Sequence, residues 1–160
     1  MTSQSHIGGD THERDDTGWI SFGAFLIIVA IIYLTTPNIA QEVNAFFHDF
    51  QLVKIFDNFS WFAPSTSHPV VYRAAQKFCY LFGVVQIGII ALKFAKRASI
   101  QAKAETASGI VFWLGLGYII SLLEQGGLSW ISFLAGLIIL VGVSIIIRSL
   151  ILLSFRHGVR

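Results

Sequence analysis

Charge is scarce in this chain. Asp, Glu, Lys and Arg together make up 12% of its 160 residues, about half the share usual in soluble domains. With 54% of the residues apolar, that scarcity excludes water as the main solvent. The apolar character runs around all faces of the expected helices, as lipid requires. Cysteine is reduced to Cys79, which excludes an internal disulfide and a Cys-x-x-Cys redox pair. A net charge of +2 arises from scattered Lys and Arg; without a dense basic stripe or an interleaved aromatic platform, no nucleic-acid partner is expected. The middle of each apolar run lacks Asp, Glu, Lys, Arg and His. That argues against a proton-coupled transporter and against axial haem ligation.

Four uncharged runs are present, at residues 18–36, 78–92, 106–123 and 125–147. They approach or exceed the ~20 residues a helix needs to cross a hydrocarbon core. The fold class expected is an all-α integral membrane protein: four transmembrane helices in one bundle plus an amphipathic interfacial helix between the first and second spans. The spans are placed at about residues 18–36, 70–96, 106–124 and 127–150, within a domain covering residues 17–156. Residues 1–16 form a polar, acid-rich tail that lacks the apolar content to fold. It also lacks the basic flank of a secretory signal, so the first span reads as retained.

The segment between the first two spans is the least ordinary. Ile39, Val43, Phe46, Phe47, Phe50 and Val53 recur at helical spacing, with Gln41, Glu42, His48 and Asp49 in other directions. This predicts an interfacial helix over residues 38–59, with Asn38 and Gln41 capping its start and Phe46, Phe47 and Phe50 turned inward. Asp57 and Asn58 suggest a break. Trp61 opens an interfacial loop, and Pro69 suits the first position of the next helix. Lys and Arg set orientation: Arg14, Lys93, Lys96, Arg97, Lys103, Arg148, Arg156 and Arg160 share one side, against Lys54, Arg73 and Lys77 on the other. This predicts a multi-pass protein of the cell membrane with both termini cytoplasmic.

Candidate interaction residues follow from burial cost. Arg73 and Lys77 share a helical face at a predicted depth close to Glu124, so a carboxylate–cation pin between helices is expected. Gln86 is the one amide deep in a span and is expected to make an interhelical hydrogen bond. Gly115, Gly117, Ser121, Ser129, Ser132 and Gly136 are expected to bring the third and fourth spans close together. His6 and His12 in the tail, and His48, Asp49, Asp57 and His68 outside the spans, lack the spacing of a metal motif, and no Gly-x-Ser-x-Gly turn occurs. No catalytic, cofactor or metal residues are therefore assigned. The function expected is that of a non-catalytic, small multi-pass membrane protein, a structural or accessory subunit of a larger membrane complex. Its partners would be the lipid bilayer and membrane-protein subunits or further copies of itself. The alternative is a small oligomeric channel or transporter.

Overall fold

The computed structural model describes residues 15–56 and 59–157. The tail reading, with His6 and His12, and the expected break at Asp57 and Asn58 lie outside them. Five helices and one hairpin follow in the order α1 (Asp15–Thr35), α2 (Ile39–His48), β1 (Phe50–Phe56), β2 (Phe59–Pro64), α3 (Pro69–Ala95), α4 (Ile100–Glu124) and α5 (Trp130–His157). The protein is mostly helical. Three stretches, α3, α4 and Trp130–Ser154 of α5, are long and apolar enough to cross a membrane. Trp19–Thr35 and Ile39–His48 pass only as a pair bent by 96°. Such helices mark a membrane protein.

The bend has a local cause. Pro37 cannot continue α1, whose last turn closes with Thr36 N–H donating to the Ile32 carbonyl at 2.9 Å. Asn38 then takes the left-handed conformation (φ 58°), which asparagine tolerates better than most residues. Its side chain makes no cap hydrogen bond, contrary to the expected Asn38/Gln41 cap. The Asn38 carbonyl accepts from the N–H groups of Gln41 and Glu42, each at 3.0 Å, and α2 starts off sideways.

The expected interfacial helix over residues 38–59 is corrected: it stops at His48, and the chain is not all-α. β1 and β2 pair antiparallel, Phe50 with Pro64, Leu52 with Phe62, Val53 with Trp61 and Phe56 with Phe59. Phe50 and Val53 fit a helical stripe, but the segment is also rich in β-branched and aromatic residues, which favour a pleated strand. Phe47 is a second correction, because it is 69% exposed while its neighbour Phe46 packs inward.

The main helix contacts run α1 to α3, α3 to α4 and α4 to α5, so α1 and α5 stand at the two edges. Ile28 and Ile32 of α1 bury against Ala74 of α3, and Phe25 meets Phe78 edge-on at 5.7 Å. A second core joins Tyr72 and Cys79 of α3, Ile120 of α4 and Phe133 of α5. Glycines set the helix spacing. A Cβ at Gly117 would lie 2.8 Å from the Tyr80 ring, one at Gly83 2.7 Å from Leu114, and one at Gly115 2.4 Å from Leu140. Gly117 thus receives α3 rather than α5. Ser129 and Ser132 also differ from expectation, bonding to each other at 2.8 Å at the start of α5.

Both connections between long helices use one turn type. At the end of α4, Gly127 N–H reaches Leu122 O and Gly126 N–H reaches Leu123 O, with Gly126 at φ 72°. At the end of α3, Ala98 N–H reaches Lys93 O and Arg97 N–H reaches Phe94 O, with Arg97 at φ 53°. This is the Schellman pattern. After it, Ser99 accepts from Ala102 N–H at 3.3 Å and starts α4 at Ile100, six residues ahead of the expected 106.

Candidate functional site: polar clusters at the two ends of the helices

At the hairpin end, Asp49 follows α2 and closes the loop ahead of α3. Its carboxylate accepts hydrogen bonds from the Ser65 hydroxyl, the Thr66 N–H at 2.7 Å, the Thr66 hydroxyl at 2.8 Å and His68 Nε2 at 2.9 Å. Four donors on one carboxylate hold its pKa well below the usual range, Ser65 contributing most. His68 is buried, its ring edge-on to Phe46 at 5.4 Å. Phe46 also meets Phe50 at 5.1 Å, Tyr72 at 6.1 Å and Trp130 at 6.1 Å. The cluster joins α2, the base of the hairpin, α3 and α5. Chemically it is a clasp: a charged acceptor ties residues 65, 66 and 68 to residue 49 and anchors the hairpin at its base.

The pH dependence follows from the sign of that shift. A carboxylate with a depressed folded pKa contributes stability that is fully present above its ordinary value, near 3.8. That contribution is lost as pH falls below that value toward the folded pKa. A nitroxide at Ser60→Cys in a Cys79→Ser background should therefore report an ordered hairpin from neutral pH down to about pH 4, then progressive loosening. Asp49→Asn should loosen the hairpin already at neutral pH and flatten the acid response. An unchanged acid response in that variant would show that other groups govern the transition.

One helical turn into α3, Arg73 Nε donates to Glu124 Oε1 at 2.5 Å, with Arg73 65% exposed and Glu124 17%. Lys77 is exposed and makes no ion pair among the described residues. Because water reaches the arginine, the pair should contribute only about 0–1 kcal/mol. A double-mutant cycle with Arg73→Gln and Glu124→Gln, read as thermal stability in detergent, should give a coupling within that range. The Lys77→Gln and Glu124→Gln cycle should be additive.

The opposite end carries a separate polar cleft of about 200 Å³ between α1, α3 and α4. Ser21 lines it from α1, with Gln86, Ile89 and Lys93 from α3. Glu105, Thr106 and Gly109 complete it from α4. Lys93 Nζ donates to the Thr106 hydroxyl at 2.7 Å and to the Ala102 carbonyl at 3.2 Å. Thr106 in turn donates to Ala102 O at 3.0 Å. Glu105 pairs with Arg148 of α5 at 2.8 Å. Gln86 differs from expectation: its amide makes no hydrogen bond among the described residues. It lies over Gly109, where a Cβ would come within 2.4 Å of Oε1.

Of the sequence-selected residues, Arg73 and Glu124 are brought together, as are Phe46 and Phe50. Gln86 lies apart from them, lining the cleft toward the other end of the helices, and Trp61 and Phe47 stand on exposed surfaces. The Asp49 clasp, the Lys93–Thr106 bond and the Glu105–Arg148 pair have no counterpart in the sequence reading. Asp49 lies 16 to 19 residues from its partners, and no periodic signal links them. Among the described residues, no group of three or more His, Cys, Asp or Glu could hold a metal ion; Asp49 and His68 meet, while His48 is exposed.

Compared with protein-family models, curated proteins and solved structures, the chain matches none of them.

Proposed function

We propose that this chain is a non-catalytic accessory subunit of a larger membrane complex, with the hairpin as its docking element. In this reading α1, α3, α4 and α5 cross the cell membrane as a four-helix unit with both termini cytoplasmic. The hairpin then stands on the outer side. One observation carries the partner: both faces of the hairpin beyond its clasped base bear exposed apolar side chains. On one face are Leu52 and Phe62, 65% and 58% exposed; on the other are Val53 and Trp61, 38% and 47% exposed. A two-stranded hairpin lying on a bilayer can hide one face in lipid, leaving the other in water. A second protein surface removes that cost. Ion pairs that, among the described residues, lie at the helix ends, and side chains packed against Gly83, Gly115 and Gly117, favour this reading over a solute pathway through the chain.

Photo-crosslinking tests it. A benzophenone amino acid at Leu52 or Phe62, activated in intact membranes, should capture one distinct membrane protein that also copurifies stoichiometrically in mild detergent. Phe62→Glu should abolish the copurification, as loss of an interface hot spot does. Capture of lipid alone would overturn the subunit reading. So would capture of a second copy together with solute flux in liposomes, which would establish the channel or transporter instead.

A further inference from the structure

We infer that the cleft between α1, α3 and α4 is a headgroup site for an anionic glycerophospholipid, with Lys93 as the phosphate contact and Gln86 as a deeper hydrogen-bonding group. The inference does not depend on the subunit reading, because it concerns the other end of the molecule.

Lys93 carries three donors, two of which are engaged by Thr106 and Ala102. Those bonds hold the ammonium group at the cleft and leave the third donor for a ligand. Glu105, the one carboxylate lining the cleft among the described residues, is paired with Arg148, so its charge is offset locally. Lys96 and Arg97 lie on the adjoining connection and Lys103 in the first turn of α4, with Lys103 Nζ over the Phe94 ring at 4.6 Å. The local balance is cationic, which selects an anion; basic pockets between membrane helices take anionic lipid headgroups on the same grounds.

Depth separates a lipid from a soluble anion. Gln86 lies seven residues before Lys93 on α3, about 10 Å deeper at 1.5 Å per residue. Its amide is half-buried at the cleft and makes no hydrogen bond among the described residues, so its donors and acceptor are available to a ligand. Lining the same cleft as Lys93, it would serve the glycerol and ester oxygens beneath a phosphate. Ile89 forms the wall between the two polar groups. A cleft of about 200 Å³ would take a headgroup but not a whole lipid. The acyl chains would lie outside, against Phe22 and Leu26 of α1, which are 54% and 50% exposed.

The test uses the purified full chain in detergent, with phosphatidylglycerol and phosphatidylcholine titrated separately and bound lipid read by native mass spectrometry. Phosphatidylglycerol should bind at least about tenfold more tightly. Lys93→Gln should weaken it about tenfold and Gln86→Leu about threefold, the effects of losing a charged and a neutral hydrogen bond. Lys77→Gln, at the far end, should leave it unchanged. Equal binding of the two lipids, or wild-type binding by a folded Lys93→Gln variant, would overturn the site. If Lys93→Gln does not fold, photoactivatable phosphatidylglycerol on the wild-type chain decides. Adducts at residues 21–26, 86–93 or 105–109 support the site, and adducts confined elsewhere refute it. Displacement of the lipid by millimolar glycerol 3-phosphate or inorganic phosphate would assign the cleft to a soluble anion instead.

Discussion

Phe46→Ala should lower the stability of the protein in detergent by about 3 kcal/mol, the lower end of the range for removing a packed phenylalanine ring, and should release the hairpin from the helices. Phe46 contacts His68, Phe50, Tyr72 and Trp130, so one truncation weakens the seating of α2, the hairpin base, α3 and α5 together. Phe47→Ala, one residue away on a side chain 69% exposed, should stay within about 0.5 kcal/mol of the wild type. Thermal unfolding of both variants, together with nitroxide mobility at Ser60→Cys, measures the contrast. Equal losses for the two would mean that α2 presents a different face to the helices.

Gly117→Val should be the most damaging change inside the helices. Even a single Cβ at this position would lie 2.8 to 2.9 Å from Tyr80 ring carbons, and an aromatic ring cannot yield as the end of a flexible chain can. Forcing α3 and α4 apart there should cost about 1–3 kcal/mol or more. Gly136→Ala is the control, since its Cβ would meet Ile119 at an ordinary 3.5 Å and alanine favours helix over glycine. The control should unfold at or slightly above the wild-type temperature. A loss on Gly136→Ala as large as on Gly117→Val would show that the glycines act through backbone flexibility rather than close approach.

The long helices were legible because a lipid-facing helix has to be apolar along its whole length, and length with composition reveals that without knowledge of any contact. Their ends were legible where the chain carries its own stop, as at Pro37, Pro69 and the Gly126 turn. The hairpin was not, because residues 50–56 satisfy two periodicities. Phe50 and Val53 continue the helical stripe from Phe46, while the β-branched and aromatic residues around them suit a strand. Local sequence leaves that competition open. The hairpin ends are joined by the Asp49 clasp, whose partners lie 16 to 19 residues away. In the helices, the same uniform hydrophobicity that made them visible hid their rotation about their own axes. With no apolar stripe, nothing in the sequence says which face of α3 meets α4. Only tertiary packing directs Gly117 to Tyr80, sets Gln86 over Gly109 and brings Lys93 to Thr106, because each contact requires two helices at one depth and one rotation. The sequence alone determined that the chain builds helices long and apolar enough to cross a membrane, since that needs only apolar residues in long runs. Beyond a pin on Glu124, which residue spacing already indicated, the meetings of the polar groups were decided by the shapes of the side chains between the helices; they selected Arg73 over Lys77 as its partner.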